Sequence, residues 1–181
     1  ASFITIHGRT KAQMYAPSAD WARIGRAARA VQVPVVANGD VFTPEDWRRC
    51  RRITGCHAVM LGRGAFRRPN LFRWIRGADP GPWPSALQAS LLRRFAARML
   101  QEGRRFRDPE RAALARAKQW MRALGEVDPA MAACFERFKR ARRLAEALER
   151  LDRSFPPNSP PPPGFSNRFA SDGTIQAPFG L

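Results

Sequence analysis

The stretch VPVVANGDVFTPEDW, residues 33–47, decides how this chain folds. A short β-branched apolar run ends abruptly in Asn38-Gly39-Asp40, and a helix start follows at once. Thr43 is placed to cap that helix, Pro44 suits its first position, and Asp46 completes a weaker form of the capping box. A buried strand passing through a polar turn into a helix is one βα unit.

The same grammar extends in both directions. FITI (3–6) and AVMLG (58–62) are further apolar runs of strand length. Helical patterns fill the gaps. Over 18–31, Trp21, Ile24, Ala28 and Val31 recur at helical spacing behind Ser18 as N-cap. Over 43–53, Trp47, Cys50 and Ile53 form the buried stripe. Strands alternating with helices predict an α/β fold with a parallel sheet, whose strands read as continuous apolar runs because both faces are covered.

After residue 76 the pattern changes. GADPGPWP (77–84) is a Gly/Pro-rich linker. Three helical patterns follow, 85–103, 109–124 and 129–152, which predict a small helical bundle over 85–153. Leu87, Leu91, Phe95 and Met99 stripe the first. Met131, Phe135, Phe138, Leu144, Leu148 and Leu151 stripe the third. Residues 154–181 contain SPPPPG, lack periodicity, and are expected to be disordered.

Composition narrows the function classes. Hydrophobic residues make up 44% of the 181, enough for a core. No apolar run approaches the ~18 residues of a membrane span, and ASFITIHGRT at the start does not look like a signal peptide. A cytoplasmic setting is therefore expected. A first strand opening by the second or third residue, with no initiator Met, is expected of a fragment. The three cysteines, Cys50, Cys56 and Cys134, are too few and scattered for a disulfide framework, and with His7 and His57 they make no zinc spacing. No metal site is expected.

The net charge of +17 favours a polyanionic partner. Residues 1–76 hold 14 Lys/Arg against 4 Asp/Glu, and residues 77–153 hold 17 against 10. Because 29 of the 32 basic residues are Arg, an arginine-favouring base composition would give a similar excess, so position must decide.

Position points to the strand ends. The first strand runs into His7-Gly8-Arg9-Thr10, the second into Asn38-Gly39-Asp40, the third into Gly62-Arg63-Gly64. Parallel α/β folds bind ligands at the carboxyl ends of strands, and barrels of this kind grip phosphates after their last strands. Glycine lets backbone N–H groups approach phosphate oxygens, and Arg63 adds a charge-assisted contact. Each motif alone also reads as a tight βα turn. Three in succession favour a phosphate-bearing ligand.

ITIHGRTKAQMY, VPVVANGD, CHAVMLGRGAFRRPNLF and ARAKQWMRAL resemble the second half of the flavin-dependent tRNA-dihydrouridine synthases, in particular the bacterial branch that acts on uridine 16 of tRNA. The resemblance covers roughly residues 2–152. It implies the C-terminal part of a TIM (β/α)8 barrel over 1–76, followed by a helical tRNA-binding domain over 85–153. By resemblance, Asn38, Gly39 and Asp40 contact FMN, and Gly62 and Arg63 lie at its phosphate. His7 lies beside the flavin ring, Arg9 helps shape the site, and Tyr15 falls in a loop that reaches the RNA. The implied reaction reduces the uracil C5–C6 double bond, with NADPH as reductant of FMN and a loop cysteine as proton donor. That cysteine belongs to the barrel's first half. Cys50, Cys56 and Cys134 stand at no strand end, so no catalytic residue is expected within this chain, and the full-length enzyme is expected to be a monomer.

At about 100° per residue, Arg111, Ala115, Lys118 and Arg122 share one strip of the helix over 109–124, opposite Ala113, Ala117, Trp120, Met121 and Leu124. The strip is expected to face outward, free of acidic residues, as a positioning contact for an RNA backbone. The resemblance brings the KQW region near tRNA, so Arg111, Lys118 and Arg122 are the candidate RNA contacts. Two competing readings stand beside this one. The chain could derive from another FMN- or phosphate-binding TIM-barrel enzyme, or be a truncated inactive product with residual RNA binding.

Overall fold

The structure is a computed structural model and describes residues 1–14, 18–103 and 106–157. The chain divides into two compact units, with the boundary between Pro82 and Trp83.

The first unit carries three strands, β1 (Ile4–His7), β2 (Val35–Asn38) and β3 (Ala58–Met60), all parallel and in the order β1-β2-β3. The crossover from β1 to β2 contains α1 (Trp21–Arg29), and that from β2 to β3 contains α2 (Pro44–Thr54). Ile24, Val35, Ala37 and Cys50 are buried together, with Ile4, Ile6, Trp47 and Val59 packed against them. Alternation along the strands sends Thr5, His7, Val36, Asn38, Ala58 and Met60 to the other face, where all remain half-buried or exposed. Both faces were expected to be covered; among the described residues only one is.

The start of α2 follows its sequence closely. Asp46 N–H donates to Thr43 Oγ1 at 3.1 Å, and Asp46 Oδ2 accepts from Thr43 N–H at 3.0 Å. Gly55 ends the helix at φ +72°, the left-handed cap that glycine adopts freely. The start of α1 departs from expectation. Its N-cap is Asp20, accepting from Arg23 N–H at 2.8 Å, in place of Ser18. Val31 lies beyond the end of α1 and is exposed, and Ile53 is 37% exposed.

Two short helices follow β3, α3 (Arg63–Arg67) and α4 (Leu71–Ile75), which apolar periodicity did not reveal. The Gly/Pro-rich segment after them is tied down. Buried Asn70 donates to Asp79 Oδ2 at 2.9 Å and to Gly81 O at 2.7 Å, and Arg73 pairs with Asp79 at 2.9 Å.

The second unit holds α5 (Ser85–Glu102), α6 (Pro109–Gly125), α7 (Pro129–Phe138) and α8 (Leu144–Ser154) around one core. The single helix expected over 129–152 is two helices. The reason lies in the caps. Leu144 N–H donates to Glu110 Oε1 at 3.0 Å and Arg142 N–H to Glu146 Oε2 at 2.8 Å, so carboxylates start α8 where no Ser or Thr stands. Ala141, 2% exposed, pins the turn into the core. The expected stripe survives the break, since Met131, Phe138, Leu144 and Leu151 are all buried. Along α5 the buried line is Ala89, Leu92 and Ala96, while Leu91, Phe95 and Met99 flank it. Phe95 packs edge-on against buried Trp120 with ring centroids 4.7 Å apart.

Tyr15 and most of the Pro-rich stretch, residues 158–181, lie outside the described residues, and Ser154 closes α8.

Candidate functional site

Register builds the site in the first unit. His7 pairs with Asn38, and Asn38 with Met60, so the last residues of β1, β2 and β3 form one row across the sheet. All three lie on its uncovered face. Beyond the row, the three strand-end loops enclose a cleft of about 320 Å³. His7, Arg9, Asn38, Gly39, Asp40, Gly62 and Arg63 all line it. Thr10, Lys11, Met14, Phe42, Met60 and Gly64 line it too and were not among the expected site residues. For Met60 the signal was period two. Counting 58–62 as one apolar run hid the fact that alternate residues face the cleft side.

Asp40 is the electrostatic centre of this cleft. It sits at φ +53°, a left-handed position that Asp tolerates better than most residues. Its Oδ1 accepts from Arg9 Nη1 at 3.0 Å and from Arg63 Nη2 at 3.0 Å. Its Oδ2 accepts from Ala19 N–H at 2.7 Å and from Arg9 Nη2. Burial alone would raise this carboxyl. The Arg9 and Ala19 hydrogen bonds, with the charges of Arg9 and Arg63, outweigh it and hold Asp40 below its ordinary value. Asp40 thus aims two guanidiniums from separate strand-end loops, and both of its oxygens are engaged by the protein.

Glycines set how tightly the loops close. Gly39 has φ +138°, and a Cβ there would fall 2.6 Å from Ala19 Cβ. Its carbonyl accepts from Trp21 Nε1 at 2.8 Å, fixing the turn to α1. A Cβ on Gly64 would fall 2.0 Å from Val41 O, so the start of α3 rests directly on the backbone after β2. Around Gly62 no atom lies within 4 Å of such a Cβ, and the cleft is open there.

Cys50, Cys56 and Cys134 are all buried. Burial, reinforced by Cys56, pushes the Cys50 thiol up to about 11, so it stays protonated and a poor nucleophile near neutral pH. Among the described residues, no group of three or more His, Cys, Asp or Glu could hold a metal ion, and no helix is long and apolar enough to cross a membrane.

In the second unit, Arg111, Ala115 and Arg122 are exposed along α6, and Lys118 is half-buried. Lys118 Nζ donates to Ala141 O at 2.7 Å, tying α6 to the turn between α7 and α8. The expected open strip is therefore partly a wall. Arg111 and Lys118 share a hollow of about 460 Å³ with Arg142 and Arg143, and Asp108 and Glu110 line it as well. Arg122 does not line this hollow.

The first unit is thus a parallel α/β unit with its polar residues gathered at the strand carboxyl ends, and the second is a helical unit rich in arginine. The chain belongs to the dihydrouridine synthase family, whose model, described as "Dihydrouridine synthase (Dus)", matches residues 1–155. It is 40% identical over 152 residues to a tRNA-dihydrouridine(16) synthase of Aquipseudomonas alcaligenes, covering 84% of this chain and 47% of that protein. It is 38% identical over 150 residues to one from Neisseria meningitidis, covering 81% and 43%. The chain therefore spans less than half the length of these curated relatives.

Proposed function

We propose that this chain is the C-terminal part of an FMN-dependent tRNA-dihydrouridine synthase acting on uridine 16. Its first unit would contribute the last strands of a TIM barrel with half of the flavin site, and its second would contribute the tRNA-binding domain. One observation carries the reading. In a member of this family, the residues that the resemblance assigns to FMN line a single cleft. Its size lies at the low end for small-molecule sites, as half of a shared site would. The cleft also suits a phosphate. Arg9, Lys11 and Arg63 stand against the single carboxylate of Asp40, and the space over Gly62 is open to close approach.

Within this proposal Arg63 and the backbone around Gly62 hold the phosphate. His7 and Asn38, side by side at the strand ends, contact the ring. Asp40 keeps Arg9 and Arg63 aimed, and Gly39 lets the backbone come close. When bound, the flavin supplies hydride chemistry for the uracil C5–C6 double bond, with NADPH as its reductant. The three buried cysteines of this chain are no proton donors to that reaction. The resemblance assigns the donor to the first half of the barrel, outside residues 1–181. Arg111, Lys118 and Arg122 offer positive charge to the tRNA backbone, and by the family resemblance Tyr15 belongs to a loop that reaches the RNA. A monomeric, cytoplasmic enzyme is part of the same reading.

The test uses the chain extended at its N-terminus to the length of its relatives. That protein should purify yellow, and Asn38→Ala with Arg63→Ala should lose flavin. Unchanged flavin occupancy in the double variant would sink the assignment.

A further inference from the structure

The break between α7 and α8 builds a second basic surface. Arg137 lies on α7 and Arg140 three residues later in the turn; Arg150 and Arg153 are likewise three apart on α8. Because α8 folds back, these four arginines line one hollow of about 510 Å³, and among the described residues no other lines it. A continuous helix over 129–152 could not bring them together.

The hollow is organised. Arg150 Nη1 donates to Arg137 O at 2.6 Å, and its guanidinium also pairs with Glu146. Arg137 Nη2 donates to Ser154 Oγ at 2.9 Å, and Arg153 pairs with Glu149 at 2.6 Å. Arg140 is exposed and has no acidic partner among the described residues. Two carboxylates against four guanidiniums leave a net positive site, with three of the forks oriented by groups of the protein. Planar forks of this kind recognise phosphate oxygens. A peptide partner would need an apolar anchor pocket, and among the described residues no apolar side chain lines this hollow.

We propose that Arg137, Arg140, Arg150 and Arg153 form a docking site for the phosphodiester backbone of tRNA. It shares no residue with the Arg111–Lys118 hollow, so it is a second contact point that fixes position without reading sequence. The inference rests on the tRNA reading above.

The test is binding of a tRNA transcript to the full 181-residue chain across a salt series. The unaltered chain is compared with Arg140→Gln/Arg153→Gln, Arg140→Lys/Arg153→Lys and Arg111→Glu, all checked for equal helical content. The glutamine pair should weaken binding roughly tenfold in dilute salt and lower the salt slope by about 0.7–0.9 for each phosphate it no longer neutralises. The lysine pair should keep the slope and recover part of the affinity. Unchanged affinity and slope in the glutamine pair, with Arg111→Glu still weakening binding, overturns this site and leaves the tRNA reading standing. Failure of the unaltered chain to bind tRNA overturns both. Arginine-dependent capture of polyglutamate without tRNA binding would assign the hollow to an acidic protein segment and likewise overturn the proposal.

Discussion

At the end of β2, Arg9 and Arg63 converge on the carboxylate of Asp40, while on α7, α8 and the turn between them four arginines line a hollow, and only Arg150 and Arg153 of them pair with a carboxylate among the described residues. The first arrangement fixes a loop geometry. The second leaves charge available to a ligand. Packing divides the same way. The first unit buries six hydrophobic residues in its core cluster, the second seventeen, so stability is concentrated in the part with the exposed charge. On the proposed function the two tasks separate along this line: close-fitting glycines and a pinned carboxylate would serve the cofactor, and a stable helical platform for guanidiniums would serve the tRNA.

The largest expected effect comes from Gly64→Ala. The added Cβ would meet a backbone oxygen, Val41 O, which no rotamer change can move. A loss of about 3 kcal/mol is expected for the first unit, at the upper end of ordinary overpacking. Denaturant unfolding should show this while the helical signal of α5–α8 persists; loss of both together would show that the two units unfold as one.

Asp40→Asn keeps a residue that tolerates positive φ but removes the charge that gathers Arg9 and Arg63. About 2 kcal/mol should be lost, the scale of hydrogen bonds to a charged group. The pH dependence follows from the lowered Asp40 value. A carboxyl depressed by folding contributes stability that is fully present above its unfolded value, near pH ~4. That contribution disappears as the pH falls through the lower folded value. Acid titration of the first unit should therefore show a step in the unaltered chain that Asp40→Asn lacks.

Amide hydrogen exchange sharpens the comparison without any substitution. The amides of β1 and β3, the edge strands of a sheet with one uncovered face, should exchange faster than those of α6. Equal protection would contradict the division. The smallest effect is expected from Lys118→Met, which keeps the stem and loses the bond to Ala141 O. About 1 kcal/mol should be lost from the second unit by thermal unfolding.

Local signals in the sequence carried well into the structure. The start of α2 was legible because Thr43, Pro44 and Asp46 act on backbone groups within one turn. Non-local determinants were not legible. Asp40 reads as a polar turn residue until Arg9, 31 positions away, is seen against it. The break before α8 depends on Glu110 from a different helix. The buried line of α5 runs through alanines, since the size of a side chain that fits depends on how near α6 approaches. Strand-end glycines located the cleft, but only the register places His7, Asn38 and Met60 in one row.

The central claim is that the two units carry separable tasks, and one paired measurement tests it. In the chain extended to its relatives' length, flavin content and tRNA affinity are measured in Asn38→Ala/Arg63→Ala and in Arg111→Glu/Lys118→Met. If the tasks are separate, the first pair should lose flavin and keep tRNA affinity within about twofold, with an unchanged salt slope. The second should keep flavin and bind tRNA more weakly with a shallower salt slope. Loss of tRNA affinity in the first pair matching that in the second, or full flavin retained in the first, would contradict the division.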